Sequence, residues 1–236
     1  MNAAELPGSV VFHLGPLPVT DTVATTWAII ACLALAAILA SRRLKRSPGR
    51  WQAALEGALV AVEATIAEVV PGAAVRPVLP FIATLWLFIL VANLVGLVPG
   101  LHAPTRDLSL TAALALLVFA STHWFGIRSI GWRAYLRHYI EPNPILLPFH
   151  VISEFTRTLA LAIRLFGNIM SLEMAAMLML LIAGFLVPVP LLLLHLVEAL
   201  VQAYIFGMLA LIYIAGAMER SENIEPPSST LAKETP

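Results

Sequence analysis

The sequence predicts an all-α integral membrane protein with five membrane helices and one amphipathic helix at the cytoplasmic membrane surface. Of the 236 residues, 60% are hydrophobic and 12% are charged, whereas soluble domains carry about 25% charged residues. The apolar residues form long runs that fit membrane-spanning helices of about 20 residues. The formal net charge is +0, so the composition indicates no nucleic-acid partner. We treat residues 1–236 as a single membrane domain.

The first predicted span, residues 23–40, follows an N-terminal segment, residues 1–22, without Lys or Arg. A signal peptide opens with positive charge, so we expect no cleavable leader. After the span comes a basic cluster of Arg42, Arg43, Lys45, Arg46 and Arg50. Because flanking Lys and Arg stay in the cytoplasm, residues 1–22 are predicted to be external.

Residues 51–70 repeat apolar side chains at helical spacing but also contain Glu56, Glu63 and Glu68. A segment with three carboxylates is a poor candidate for a membrane span. The segment is better explained as an interfacial helix on the cytoplasmic face, with a soluble helix packed against a partner as the alternative.

The second and third predicted spans are residues 81–98 and 108–127. The loop between them contains Arg106 alone as a cation, whereas Arg128, Arg133 and Arg137 follow the third span. This asymmetry places the first of these loops outside and the second in the cytoplasm.

The last two predicted spans, residues 148–186 and 191–217, are separated by Pro188 and Pro190. Both exceed the length that a perpendicular helix needs, so we expect two long, tilted helices that form a hairpin. The polar, proline-containing tail, residues 219–236, is predicted to be disordered and cytoplasmic.

Polar and charged side chains interrupt these last two spans at six positions: Arg164, Asn168, Glu173, His195, Glu198 and Gln202. An arginine at a helix centre costs about 2.5 to 3.5 kcal/mol on insertion scales and more in simulations. Such residues indicate an ion pathway, or else an internal ion pair. In an antiparallel hairpin, Arg164 is expected opposite Gln202, and Glu173 opposite His195.

Three motifs carry a resemblance to a known family. The segments Arg164-Leu-Phe-Gly-Asn168 and Gln202-Ala-Tyr-Ile-Phe206, with Glu173 between them, resemble the a subunits of F-type ATP synthases. Residues 80–100 and 104–108 are similar to the second span and outer loop of that family. The resemblance covers roughly residues 78–220.

The resemblance implies a stator subunit of the Fo sector, beside a rotating ring of c subunits that carry protons or sodium ions on carboxylates. It further implies contact with b-type peripheral stalk subunits and membrane lipid, and indirect coupling to the F1 sector. Arg164 would be the essential stator arginine, with Asn168 and Gln202 near it and Glu173 and His195 lining the outer half-channel. Arginine suits this role because it stays protonated at any relevant pH.

Several residues have no role fixed by the resemblance. Glu198 is interpreted as a proton relay, part of a sodium path, or a structural partner of a neighbouring helix. On the cytoplasmic side, His150, Ser153, Glu154 and Arg157 are candidates for the inner half-channel. The alternative for Glu154 and Arg157 is a local helix pair.

The chain is not expected to be an enzyme on its own, because it lacks the P-loop motif G-x-x-x-x-G-K-[ST]. Its residue spacing predicts no metal site and no cofactor.

We expect a multi-pass protein of a bacterial plasma (inner) membrane, with the N-terminus outside and the C-terminus in the cytoplasm. The alternative function is a stand-alone ion channel or secondary transporter that uses Glu173, His195 and Glu198.

Overall fold

A computed structural model describes residues 10–14, 17–42, 49–70, 72–98, 101–133, 135, 147–183 and 188–222. The α-helices in these ranges are α1 (Asp21–Arg42), α2 (Arg50–Val69), α3 (Gly72–Val95), α4 (Leu108–Ile130), α5 (Leu147–Ala183) and α6 (Pro188–Glu222). A 3₁₀ turn, Pro104–Arg106, precedes α4. All of these helices except α2 are long and apolar enough to cross a membrane. The prediction of an all-α membrane protein is confirmed.

A short antiparallel hairpin precedes α1, formed by β1 (Val10–Leu14) and β2 (Leu17–Thr20). Its Cα register matches Val10 with Thr20 and Leu14 with Leu17. No strands were predicted in residues 1–22, whose lack of Lys and Arg was the feature considered. The β-branched and aromatic residues within 10–14 are typical of a strand and could have predicted one.

Helix α3 begins at Gly72, nine residues before the predicted start of the second span, and ends at Val95. It includes Pro77 and Pro80, each of which removes a backbone donor from the helix. Both prolines are exposed. Membrane helices tolerate prolines where neighbouring groups and local adjustments satisfy the freed backbone carbonyls.

The last two helices also differ from their predicted bounds. Helix α6 begins at Pro188 and continues to Glu222, rather than spanning 191–217. Pro188 and Pro190 therefore occupy its first turn, where the missing backbone donors have no helical partner to lose. The break itself, residues 184–187, lies outside the described residues, as do Arg43, Lys45, Arg46, Arg137 and most of the tail.

Helix α6 lies at the centre of the bundle. In its most apolar 18-residue stretch, half of the residues are buried, compared with 11% in the corresponding stretches of α1 and α5. Its Phe206, Leu211 and Ile214 are fully buried in a core shared with α3, α4 and α5. Helix α5 therefore packs one face inward and leaves its other face bare.

Helix α2 packs on α3 and α6 through a narrow stripe. Ile66 is buried, and Val62 and Val69 are partly buried against the core. Its other apolar side chains, including Trp51, Leu55 and Leu59, are exposed. This helix is held at one end, with most of its apolar surface facing away from the bundle.

Candidate functional site

Arg164 projects from the bare face of α5. Its neighbour Leu165 is fully buried in the core, whereas Arg164 itself is exposed. Among the described residues, no hydrogen bond or ion pair to its guanidinium is found. The structure thus places a permanent cation on the outside of the bundle, where it is free to meet a group from another molecule.

One turn beyond Arg164, Asn168 joins α5 to α6. Its Nδ2 donates a hydrogen bond of 2.7 Å to Oε1 of Gln202, which is 1% exposed. The hairpin expectation had matched Gln202 with Arg164 instead. The two helices are offset by about one turn from that register, so Gln202 meets the amide rather than the arginine.

Glu173 lies in an ion-pair network, here called the Arg106 cluster, formed by Asp21, Arg106 and Glu173. Arg106 Nη1 is 3.4 Å from Glu173 Oε2, and Arg106 Nη2 is 3.7 Å from Asp21 Oδ2. The Ala103 amide also donates to Glu173 Oε1 at 3.4 Å. Glu173 is therefore held by the segment before α4 and does not pair with His195 as expected.

His195 nevertheless reaches the same segment. It is 5% exposed and its Cε1 packs against Gly96, where an added Cβ would lie 3.3 Å from it and 2.9 Å from the Ala103 Cβ. Ala103 thus contacts Glu173 on one side and borders the His195 environment on the other. The structure brings both predicted outer residues to one place without direct pairing.

Besides the Trp86 indole, three side chains have a buried nitrogen without a hydrogen-bond partner in the described part of the chain. These nitrogens are Nε2 of His195, Nε2 of Gln202 and Nδ2 of Asn93, whose Oδ1 accepts a hydrogen bond of 2.8 Å from Thr105. Buried polar groups are normally hydrogen-bonded, often to ordered water. These three nitrogens are unsatisfied polar sites on the facing helices α3 and α6.

Glu198 lies between His195 and Gln202 on α6 and is half-buried. No ion pair to its carboxylate is found within the described ranges. The interpretation as a structural ion-pair partner therefore gains no support.

The opposite end of the bundle contains a second polar group of residues. His123 Nε2 on α4 is 3.0 Å from Glu154 Oε2 on α5, and the guanidinium carbon of Arg157 lies 5.1 Å from the Tyr213 ring centre on α6. Glu154, Arg157 and Tyr213 line a cleft enclosing about 420 Å³ of empty space, part of it open to the surroundings. Glu154 thus pairs with α4, while Arg157 packs on α6.

The other two candidates at this end, His150 and Ser153, are exposed and do not line the cleft. Of the four residues proposed for the inner half-channel, Glu154 and Arg157 are the two that line the cleft.

Arg164 lies midway between the two polar ends. Glu154 and Glu173 are ten residues before it and nine residues after it on α5, or about 15 Å and about 14 Å along the axis at 1.5 Å per residue. The bundle thus has a polar group near each end, with the exposed Arg164 between them.

Sequence reasoning missed two residues of this arrangement, Arg106 and His123. Arg106 enters the sequence analysis through the loop charge and the family resemblance of residues 104–108, without a role in the site. No role was predicted for His123. Neither assignment could be made without knowing which distant carboxylate each side chain meets.

Within the described residues there is no group of three or more His, Cys, Asp or Glu side chains arranged to hold a metal ion. The polar ends are therefore described through hydrogen bonds and ion pairs alone.

Comparison with known proteins gives one consistent result. A family model described as "ATP synthase A chain" matches residues 23–215. The chain is similar to "ATP synthase subunit a 2" of Pelobacter propionicus, with 64% identity over 216 residues, 92% of this chain and 94% of the relative. It is also similar to "ATP synthase subunit a 1" of Hahella chejuensis, at 60% over 94% of each chain. "ATP synthase subunit a" of Legionella pneumophila strain Corby is 56% identical over 89% of this chain and 92% of the relative.

Proposed function

The chain belongs to the ATP synthase A chain family and is a multi-pass membrane subunit of an ATP synthase; on that premise, we propose that Arg164 couples ion movement to rotation. The chain is a channel subunit of the complex rather than a catalytic enzyme by itself. The observation that supports the role of Arg164 is its position midway along α5 as an exposed cation that has no ion-pair partner among the described residues. No comparison supports the alternative of a stand-alone channel or transporter.

The partner of Arg164 is proposed to be a ring of c subunits with mid-membrane carboxylates. A guanidinium cannot lose its proton in a protein, so it can hold a passing carboxylate in the anionic form without carrying protons itself. A neutral carboxylic acid can travel through lipid, where a bare charge is expensive. Arg164 would therefore force each carboxylate to release its ion before passing.

The two polar ends are proposed to border two half-channels. Glu173 and His195, with the Arg106 cluster, would form the outer path, and the cleft at Glu154 and Arg157 the inner path. Arg164 would separate them and block a direct leak. Each elementary charge that crosses the membrane yields about 2.3 kcal/mol per 100 mV, so several must cross for each ATP.

The orientation and remaining partners are proposed from charge and family. Exposed Arg42, Arg50, Arg128 and Arg133 all lie at the inner end in this arrangement, which supports a cytoplasmic α2 and C-terminus and an external N-terminus in a bacterial inner membrane. The b-type stalk subunits would fix the chain to F1. The bare apolar face of α2 supports its placement at the membrane surface.

Replacing Arg164 tests this function in the reconstituted complex. We expect Arg164→Ala to abolish ion-driven ATP synthesis while ATP hydrolysis by detached F1 is unchanged. Arg164→Lys should fail as well, because a desolvated lysine can lose its charge. Arg128→Ala, which removes an exposed arginine at the end of α4, serves as the control. Normal synthesis by Arg164→Ala would reject the proposed role.

A further inference from the structure

A histidine to which the family resemblance assigned no role pairs with Glu154, a residue that lines the cleft between α4, α5 and α6. His123 is half-buried on α4, with its ring 4.3 Å from that of Phe119 and 6.0 Å from that of Tyr135. Its carboxylate partner, Glu154, lines the cleft with Thr158 and Tyr213. The pair thus links Glu154, at the cleft of the inner end, to His123 and the backbone of α4.

The hydrogen bonds of His123 determine how many protons the pair holds. Nδ1 lies 2.9 Å from the Phe119 carbonyl oxygen, and Nε2 lies 3.0 Å from Glu154 Oε2. A carbonyl oxygen only accepts hydrogen bonds, so Nδ1 must carry a proton. One further proton must then lie between Nε2 and the carboxyl oxygen, because two lone pairs at this distance repel. The pair therefore stores one transferable proton.

We propose that His123 and Glu154 are the proton-exchanging pair of the inner half-channel, which makes the proton the ion that this path carries. The proposal rests on the function proposed above, since the rotor carboxylate that supplies or takes the proton belongs to the ring.

The proton balance closes in two steps during ATP synthesis. The pair first gives its shared proton to water at the cleft, which leaves neutral His123, a Glu154 carboxylate and one hydronium ion. The protonated rotor carboxylic acid then gives its proton, through water in the cleft, back to the pair and becomes a carboxylate held by Arg164. The sum is transfer of one proton from the rotor to cytoplasmic water, and ATP-driven pumping reverses both steps.

The surrounding charges favour this cycle. Arg157 on α5 lines the same cleft with its guanidinium over the Tyr213 ring of α6, and the Tyr135 ring lies beside that of His123. In the first step the pair becomes negative by one charge, and a neighbouring cation stabilises that state. Arg157 is also seven residues before Arg164, about 10 Å along the same face of α5. It therefore lies between the pair and the rotor-facing arginine.

The test separates proton exchange from a merely structural contact. In Glu154→Gln the new amide can donate to neutral His123 Nε2 while Nδ1–H still donates to Phe119, so the contact between α4 and α5 remains but its transferable proton is lost. His123→Gln keeps the contact in the other direction, with the amide donating to the carboxylate. Glu63→Gln makes the same chemical change as the first variant at an exposed position of α2.

The measurement is ATP-driven acidification of inverted membrane vesicles containing the complete complex, across a range of external pH. We expect Glu154→Gln and His123→Gln to slow pumping at least about tenfold and to change its pH profile, since a positioned proton-transfer group contributes roughly 10²–10⁴-fold. Glu63→Gln should match the parent protein. Amounts of assembled complex normalise the rates, and His123→Gln is decisive if Glu154→Gln does not assemble.

Pumping by assembled Glu154→Gln or His123→Gln at the parent rate with the parent pH profile would overturn the proposal. Sodium uptake by the parent complex in the presence of a protonophore would overturn it as well. Arg164→Ala, measured in parallel, distinguishes the two proposals. If Arg164→Ala stops pumping while the pair variants do not, only the pair is wrong, and if Arg164→Ala pumps normally, the proposed function itself fails.

Discussion

At the scale of single residues, the most consequential contact that sequence reasoning missed is made by Arg106. Its side chain is only 9% exposed and lies between the carboxylates of Asp21 and Glu173. The sequence places it in a short outer loop, where an arginine would ordinarily be solvated. Because it bridges α1 and α5, it positions Glu173 and fastens the otherwise loosely packed first helix.

Replacing Arg106 should therefore have both a structural and a functional effect. Removing one partner of a buried ion pair typically costs about 3 to 5 kcal/mol because the remaining charge is left unpaired. We expect Arg106→Ala to lower the amount of assembled complex and to reduce ATP synthesis per assembled complex. Immunoblots of purified complex and synthesis rates measure the two effects.

Two variants sharpen this prediction. Arg106→Lys keeps the charge and should retain part of the activity, whereas Arg128→Ala removes an exposed arginine and should behave as the parent. If Arg106→Ala is indistinguishable from Arg128→Ala, the Arg106 cluster has no role.

The residue types of the candidate site could be predicted from the sequence, whereas their partners could not. Arg164, Glu173 and Gln202 are visible because polar side chains in apolar runs are costly. The partner of Glu173 comes from a segment about 70 positions away, and the offset of the α5–α6 hairpin decides whether Gln202 meets Arg164 or Asn168. The local periodicity of the sequence shows neither the partner of Glu173 nor the offset between the two helices.

At the scale of helices, α3 and α6 approach closely at Gly207. An added Cβ there would overlap the indole of Trp86, which stacks on Tyr204 with ring centres 5.9 Å apart. Small residues let helix backbones approach closely in membranes, where packing rather than water drives association. A glycine is thus needed at position 207 because the Trp86 side chain occupies the space of a Cβ, and not because the backbone there has an unusual conformation.

Gly207→Ala should destabilise the packing of α3 on α6. Overpacking a well-packed core costs typically about 1 to 3 kcal/mol, so we expect a lower thermal midpoint of the purified complex and less assembled subunit. Gly57→Ala is the matched control, because a Cβ at Gly57 meets nothing within 4 Å. Equal thermal midpoints for the two variants would contradict the close approach.

The helices show where sequence patterns are sufficient and where they are not. Apolar runs predicted all five long helices because length and hydropathy are summed over many residues. The bounds of α3 and α6 depend on prolines: a proline is harmless in a first turn, whereas inside a helix its neighbours must satisfy the carbonyl that loses its donor. Which case holds is decided by packing, which the pattern alone does not contain.

At the scale of the whole molecule, the arrangement is a bundle with a polar group near each end and one bare helix face between them. The fold could be predicted because five apolar segments leave few other architectures. The two separate polar ends follow from tertiary contacts, Glu173 with Arg106 and Glu154 with His123. Their separation along α5 supports the proposal that they border two separate half-channels.

The central claim is that the face of α5 bearing Arg164 meets the rotor, and cross-linking in the complete complex tests it most directly. Cys32 is the only cysteine, so Cys32→Ser provides a background for one new cysteine in this chain and one beside the ring carboxylate. Gly167→Cys lies on the Arg164 face with nothing within 4 Å of its Cβ, and Leu116→Cys is exposed on α4. We predict a disulfide to the ring from Gly167→Cys and none from Leu116→Cys. The reverse pattern would contradict the account.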